Sequence, residues 1–265
     1  MKKKIIIFLI ILLFILFVSF IYIKYVGTKK LEVREYKITD TKLNNDYYGL
    51  KIVHFGDIHY GKNTNKNDLE KVVKKINLLK PDIVIFTGDL IDKGTTYSNE
   101  LRDEIIEVLD KIEVKLGKYA IKGDEDELIE DYPSIMKKAN FAYIDNSFEY
   151  VYNGDTPILI SDLNSEKLEN IKSIYNILLV HKPDSILNMD YSKYSLVLAG
   201  HSHNGQIKLP LIGPLFKFDG AKTYYDNYYE LDNSKLYITG GIGTSKINLR
   251  VNVRPSFNIY RLVNK

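Results

Sequence analysis

The sequence of 265 residues predicts an α/β protein in which two packed sheets are flanked by helices, behind a membrane-spanning helix at the N-terminus. Three observations predict this arrangement. They are an apolar run beside the N-terminus, segments of strand and helix character that alternate from residue 50, and short segments rich in Tyr and Ile after about residue 141. Because sheets bury their apolar faces against helices or against another sheet, this series of elements favours a layered sandwich.

The apolar run begins at Ile5, ends at Ile23 and contains no charged residue. Its nineteen positions cross about 30 Å of hydrocarbon at ~1.5 Å per residue. A cleaved signal peptide is the alternative, but the run exceeds the usual apolar length of ~7–15 residues and no convincing cleavage site follows it. We therefore expect a single-pass anchor in the cell membrane.

The orientation of this anchor is predicted from its flanking charges. Three lysines before the run favour a cytoplasmic N-terminus, whereas Lys24, Lys29 and Lys30 after it weaken the charge bias. Because one anchor precedes a large domain, we expect that domain to be extracytoplasmic. The chain has no cysteine, which agrees with either side of the membrane.

The segments after the anchor alternate in periodicity. Strand-like apolar segments at 51–55 and 82–87 are separated by a segment at 67–79 with helical spacing of Leu69, Val72, Val73, Ile76 and Leu79. A second helical pattern follows at Leu101, Ile105, Val108 and Leu109. Short strands are then predicted at 148–152, 158–161, 196–199, 224–229, 236–239 and 257–262. Since no linker or low-complexity segment interrupts them, we expect one domain.

The charge distribution excludes a nucleic-acid groove as the main function. The net charge of +3 comes from the first thirty residues, which contain six lysines and no acidic residue, so the remaining chain has 31 basic and 34 acidic residues. No arginine cluster or basic stripe is present in the sequence. A nucleic-acid partner is therefore not expected.

Short motifs with Asp and His recur along the chain. They are Asp57-Ile58-His59, Gly88-Asp89, Gly123-Asp124-Glu125-Asp126, Val180-His181 and Gly200-His201-Ser202-His203. Alone, each is ordinary turn chemistry. Three of them follow predicted buried strands, however, and the carboxyl ends of such strands are where α/β sheets bind ligands. Together the motifs supply seven N and O ligands, enough for two metal ions, whereas His54 lies inside the first strand and is expected to be a core residue.

These motifs, with Gly205-Gln206 and the Pro-rich segment from Leu209 to Pro214, resemble the calcineurin-like metallophosphoesterase family, in particular its membrane-attached bacterial branch. The resemblance implies a four-layer α/β/β/α sandwich. It also implies that one metal is held by Asp57, His59, Asp89 and His203, and a second by Asp89, Asp124, His181 and His201. Asp89 would bridge the two cations through its two carboxylate oxygens. Oxygen and imidazole ligands without thiolate suit Mn, Fe or Zn, and we take manganese as the working metal.

The apolar run and the resemblance, which covers the chain from about residue 50, together divide the sequence. Residues 1–30 contain a cytoplasmic flank, the transmembrane anchor and the start of a stalk. Residues 31–49 form a stalk or an edge strand, and residues 50–265 form the metallophosphoesterase domain.

Two residues depart from the family pattern, which usually reads Gly-Asn-His at 123–125. Asp124 replaces the Asn ligand, and its anionic oxygen is expected to keep or raise metal affinity. Glu125 replaces the histidine that helps the leaving group depart. It either serves as a substitute general acid or is a carboxylate without a direct part in the reaction. Two roles are also possible for Asp92. It either orients an imidazole ligand or caps the N-terminus of the following helix.

The expected function is that of a membrane-anchored, two-metal phosphodiesterase, phosphatase or pyrophosphatase. Attack of a metal-bridging hydroxide would cleave a phosphoester or pyrophosphate bond in a phosphorylated small molecule, a lipid or an envelope component. The apolar loop from Lys208 to Phe218 could contact such a substrate or the membrane. The alternative function is that of a metal-binding, catalytically weak protein that binds a phosphorylated partner.

Overall fold

The computed structural model describes residues 2–163, 173 and 175–264. Helix α1 (Lys2–Ile21) continues through one π-helical turn (Tyr22–Val26). The continuous helix Lys2–Val26 is long and apolar enough to cross a membrane by length and composition, and none of its most apolar window is buried inside the protein. Its side chains are therefore free to face lipid.

The first sheet has six strands in the order β1-β14-β2-β3-β4-β5. They are β1 (Glu32–Asp40), β2 (Lys51–Phe55), β3 (Ile83–Phe86), β4 (Gly117–Ala120), β5 (Ala142–Tyr143) and β14 (Ser256–Asn264). Strands β2 to β5 run parallel, whereas β14 is antiparallel to β2 and parallel to β1. The last strand of the chain thus lies between β1 and β2, so that β1 and β5 are the two edge strands of this sheet.

Three helices cover one face of this sheet. They are α2 (Lys66–Leu79), α3 (Asn99–Asp110) and α4 (Tyr132–Lys138). Helix α2 is capped at its N-terminus by the side chain of Asn65, which accepts a hydrogen bond from the Asp68 backbone N–H. It ends before Lys80, whose left-handed conformation stops the helix ahead of Pro81. Its buried residues are those predicted from the helical spacing, apart from the half-buried Leu79.

The second sheet has six strands in the order β12-β13-β9-β8-β7-β6. They are β6 (Phe148–Val151), β7 (Ile158–Asp162), β8 (Tyr175–Val180), β9 (Leu196–Ala199), β12 (Tyr228–Glu230) and β13 (Lys235–Ile238). Strands β10 (Lys208–Leu209) and β11 (Gly213–Pro214) pair only with each other, as a hairpin. The strand predicted over 224–229 is wrong over its first four residues, because the observed strand begins at Tyr228 and the backbone N–H of Tyr224 bonds to the Asp184 side chain.

The two sheets pack face to face, and the side-chain alternation of β3 shows how. Val84 and Phe86 contact the helices, whereas Ile83 and Ile85 contact the second sheet. On the far side of the second sheet, Ile186 and Tyr194 pack against Val197. Among the described residues, this outer layer comprises the 3-10 helix Pro183–Asn188 and its neighbouring loops. The predicted α/β sandwich of two sheets is confirmed.

His54 is a core residue, as predicted. Its ring is buried between the Tyr260 hydroxyl, 3.0 Å from Nδ1, and the Thr87 hydroxyl, 3.1 Å from Nε2. Burial lowers the pKa of His54 to about 3, so that the ring stays neutral.

Strand β14 holds the first sheet together, and this role is testable at Phe257. Its ring is fully buried against the helices. We expect Phe257→Ala to lower the free energy of unfolding by about 3–5 kcal/mol, because it leaves a cavity in a closely packed core. Urea unfolding of the full chain in detergent micelles measures the effect.

The matched control is Phe148→Ala on edge strand β6, where the ring is partly exposed. We expect this variant to lower the free energy of unfolding by at most about 1 kcal/mol. Equal losses for the two variants would contradict a core position for Phe257.

Candidate metal centre

The predicted ligands lie where strands of both sheets end. Asp57 and His59 follow β2, Asp89 follows β3, and His181 and His201 follow β8 and β9. Because the sheets pack face to face, these carboxyl ends meet in one place and bring residues more than a hundred positions apart into contact. His203 and the turn after β4 complete the site. This is the edge at which open α/β sheets bind ligands.

One group of candidate ligands consists of Asp57, His59 and His203, all buried. The two histidines face each other through their Nε2 atoms, which are 3.1 Å apart. Asp57 accepts a hydrogen bond at Oδ1 from the His201 backbone N–H at 2.8 Å. Its second oxygen, Oδ2, is buried with no hydrogen-bond partner among the described residues. A bound cation would satisfy this oxygen and draw both imidazole nitrogens to it, so the residues fit a metal site.

The second group consists of Asp89, His181 and His201. Nε2 of His181 lies 3.2 Å from Oδ2 of Asp89 and 3.2 Å from Nδ1 of His201. The same Asp89 oxygen is 3.7 Å from Nε2 of His59 in the first group. Asp89 therefore stands between the two groups, in the position that a bridging carboxylate requires.

Asp124 is the predicted ligand that lies apart from both groups. Its side chain is 42% exposed and pairs with Lys182, the two charged atoms being 2.8 Å apart. Its nearer carboxylate oxygen is 3.8 Å from Nδ1 of His201. The structure thus gathers six of the seven predicted ligands and leaves Asp124 at the rim of the second group.

Hydrogen bonds fix the orientation of the imidazole rings. Nδ1 of His181 donates to the Thr87 carbonyl at 2.8 Å, and Nε2 of His201 donates to the Asp219 carbonyl at 2.7 Å. Nδ1 of His59 bonds to the Glu125 carboxylate at 3.1 Å. Once a ring is neutral, these bonds place its proton on the outer nitrogen and leave the nitrogen that faces the other candidate ligands free to bind a metal. Such outer partners fix the tautomer and direct a ligand to its metal.

Glu125 therefore lies behind His59. Its Oε2 also accepts a hydrogen bond from the Lys93 backbone N–H at 2.8 Å. Asp92 is close to the same imidazole, with a carboxylate oxygen 3.8 Å from Nδ1 of His59. The hypothesis that Asp92 caps the following helix is wrong, because the side chain of Ser98 caps helix α3.

The backbone at the site is strained. Five of the predicted ligands, Asp57, His59, Asp89, His201 and His203, have φ between 46° and 65°. Residues with a Cβ atom rarely adopt this left-handed backbone conformation. It persists only where the surrounding structure holds the residue in place. Gly88 has φ 92°, and a Cβ atom there would lie 2.1 Å from the Gly123 nitrogen. The loops after β3 and β4 can therefore approach only through glycine.

Burial and mutual charge shift the pKa values of the ligands in opposite directions. Burial raises the pKa of Asp57 to about 6. Burial alone would lower the pKa of His181, but Asp89 raises it to about 10, and burial together with His181 lowers the pKa of His201 to about 4. Burial, with the charges of His59 and Arg250, holds the pKa of His203 well below its usual range. His201 and His203 are thus neutral, the form that binds metal.

Two buried residues of the site were not predicted from the sequence. The Asp126 carboxylate accepts three backbone hydrogen bonds, from Asp89 and Leu90 at 2.8 Å and from Gly123 at 2.9 Å. It ties the two metal-site loops together. The only local signal for it was its position at the end of the Gly123–Asp126 motif, which an exposed turn residue would share.

Arg250 is the second. Its Nη2 lies 2.8 Å from the Gly240 carbonyl and 3.1 Å from Nδ1 of His203. It holds the turn after β13 against the site and is fully buried. Nothing in the local sequence around Arg250 distinguishes it from a surface arginine.

Asp126 supports the site through its backbone contacts, and we expect Asp126→Asn to destabilise the protein by about 2–4 kcal/mol. The amide would turn an NH₂ group towards N–H donors and leave at least one of them unpaired. Thermal unfolding followed by circular dichroism measures this change. Asp232→Asn, at an exposed turn position, is the matched control and should leave the midpoint unchanged. A midpoint equal to that of the control would contradict the role of Asp126.

Comparisons with known proteins agree with this geometry. The family model for calcineurin-like phosphoesterases matches residues 50–205. The chain is 30% identical over 255 residues to the uncharacterized metallophosphoesterase YkuE of Bacillus subtilis, across 91% of this chain and 88% of that protein. It is 26% identical over 237 residues to the phosphodiesterase YaeI of Escherichia coli, across 81% of this chain and 82% of that protein.

A third relative is named as a transmembrane protein. The chain is 26% identical over 245 residues to a transmembrane protein with metallophosphoesterase domain from Danio rerio, across 83% of this chain and 54% of that protein. The family model covers more than half of this chain, and the Bacillus relative matches it almost from end to end. The chain therefore belongs to the calcineurin-like phosphoesterase family and is a metal-dependent phosphoester hydrolase.

Proposed function

We propose that this protein is a membrane-anchored, two-metal hydrolase of phosphoester or pyrophosphate bonds whose leaving group departs without protonation. The observation that carries the proposal is the position of Asp89, whose Oδ2 lies 3.2 Å from His181 and 3.7 Å from His59. One carboxylate thus serves two clusters of ligands. The helix Lys2–Val26 would be the anchor.

Six residues that the structure gathers would hold the two cations, and Asp124, whose carboxylate lies 3.8 Å from His201, would join the second cation. Asp57, His59 and His203 would bind one, His181 and His201 the other, and Asp89 both. Two divalent cations at such a site supply a nucleophilic water at neutral pH and polarise the phosphoryl oxygens. Oxygen and imidazole donors suit Mn, Fe or Zn.

A cleft of about 350 Å³ opens onto these ligands. Three lysines line it beside the acidic residues, namely Lys93, Lys182 and Lys246. Their charges can bind the non-reacting oxygens of a phosphate or a second phosphoryl group. Phe218 forms an apolar wall next to His201 and His203. The cleft therefore suits an anionic group that is attached to an apolar body.

The leaving-group preference follows from Glu125. Its carboxylate oxygen accepts hydrogen bonds from His59 and from the Lys93 backbone. Held by these two donors, Glu125 would orient His59 and not act as the acid for a departing alkoxide. Phenolates and phosphates leave without a proton, so activated esters and pyrophosphate bonds are the preferred substrates.

The hydrolase is tested with bis(p-nitrophenyl) phosphate and p-nitrophenyl phosphate, on the full chain in detergent after removal of metal and reloading with Mn²⁺. We expect metal-dependent turnover that Asp89→Ala lowers by more than the ~10–100-fold typical of residues outside the ligand set. Asp232→Asn should retain the rate. Bound Mn²⁺ without turnover would overturn the hydrolase and favour a metal-dependent phosphate-binding protein instead.

The leaving-group proposal is tested by Glu125→His, which restores an imidazole that can protonate an alkoxide. We expect the ratio of alkyl to aryl phosphodiester rates to rise by about 10²-fold, the usual contribution of a general acid. Glu125→Gln keeps an acceptor for His59 and should leave the ratio unchanged. If Glu125→His binds two metals and the ratio stays the same, Glu125 does not determine leaving-group preference.

A further inference from the structure

We propose that the hairpin of β10 and β11 is a second membrane contact, which holds the mouth of the metal cleft at the bilayer surface. The substrate would then be a phosphate or pyrophosphate ester on an amphiphile of that bilayer. The membrane contact stands independently of the reaction, whereas the substrate class rests on the proposed hydrolase.

The tip of the hairpin is unusually apolar for a protein surface. Leu211 and Ile212 at the tip are 108% and 74% exposed, and Leu215, which directly follows β11, is 59% exposed. Leu211 also has φ 66°, a left-handed conformation that turns normally assign to Gly or Asn. In water, exposure of three aliphatic side chains on a strained backbone is unfavourable. A turn that enters the acyl boundary of a membrane gains from each of them.

The base of the hairpin is joined to the segment that lies beside the membrane helix. The Lys208 backbone N–H donates to the Val251 carbonyl at 2.9 Å, and the Asn252 side chain donates to the Lys208 carbonyl at 2.8 Å. Residues 250–254 share a cavity of about 740 Å³ with the end of the helix, including Val18, Tyr22 and Ile23. The hairpin is therefore one strand spacing from a segment that flanks the anchor.

The depth of that segment follows from the helix residues it faces. Val18 lies five residues before the end of the uncharged run at Ile23, which is about 7–8 Å along the axis. If the run spans the membrane, residues 251–254 are at the level of the bilayer surface, and so is the hairpin bonded to them. Lys217 follows the tip and is exposed, in reach of anionic headgroups.

The hairpin leads directly to the metal centre. Phe216 packs on Phe218, with ring centroids 5.4 Å apart. Phe218 in turn contacts His201 and His203, at centroid distances of 5.8 and 5.5 Å. An apolar path thus runs from the exposed tip to the candidate ligands. A substrate with its tail in the bilayer could place its phosphate in the cleft without leaving the membrane.

The absence of tryptophan from the chain gives a direct test. The Leu211→Trp variant of the full chain is placed in phosphatidylcholine–phosphatidylglycerol vesicles that contain 5-doxyl lipid. We expect the doxyl lipid to quench about half of the emission, because interfacial groups lie ~5–10 Å within the headgroup and acyl boundary. The control is Leu78→Trp, an equally conservative change at a leucine that is 72% exposed near the end of α2. Quenching equal to that of this control would overturn the membrane contact.

A second measurement tests the substrate class. Leu211→Asp should lower Mn²⁺-dependent hydrolysis of a long-chain alkyl p-nitrophenyl phosphate in vesicles at least about tenfold, since an aspartate is costly in the acyl region. It should leave the hydrolysis of soluble bis(p-nitrophenyl) phosphate unchanged. Equal rates of Leu211→Asp and the unsubstituted protein on the vesicle substrate would overturn the amphiphile. Selective quenching of Leu211→Trp without hydrolysis of either ester would support the membrane contact and overturn the proposed hydrolase.

Discussion

The burial of several charged groups in one place is the constraint on which the rest of this structure depends. Asp57, Asp89, His59 and His181 are almost without solvent contact. Such groups are costly in a protein interior unless they neutralise one another or bind cations. Without metal, an ion pair of Asp89 and His181 offsets part of this cost, whereas Oδ2 of Asp57 has no partner among the described residues. The site is therefore stabilised most completely by the cations it would bind.

The fold meets this constraint with rigid support outside the ligands. Asp126 fixes the loops after β3 and β4 through three backbone hydrogen bonds, and Thr87, Asp219 and Glu125 each hold one imidazole. The left-handed backbone of five ligand residues can persist only because these contacts and the two sheets leave no alternative conformation. Strain and support together hold six of the candidate ligands close to one another.

Glu125 connects the site's architecture to its chemistry. The carboxylate that bonds to Nδ1 of His59 occupies the position for which the family resemblance implies a leaving-group histidine. Under the proposed function, this exchange would favour orientation of a ligand over acid catalysis and would restrict the bonds that the centre cleaves. The hairpin and Phe218 add a second restriction, because they line one side of the approach with apolar groups. The proposed leaving-group preference and the apolar side of the approach together restrict the class of substrate.

The sequence by itself determined the features that depend on neighbouring residues. Continuous apolar runs located β2, β3 and β9, and helical spacing located α2. The Asp and His motifs near the ends of these strands identified six of the residues that the structure brings together. Only the tertiary structure decided the place of β14 between β1 and β2, the contact of Glu125 with a histidine 66 positions away, and the separation of Asp124 from the other ligands. It alone placed the hairpin next to Val251 and Asn252, which line a cavity together with the end of the N-terminal apolar helix. The reason is physical: periodicity is a local property of the chain, whereas these contacts join residues that meet only after two sheets have packed.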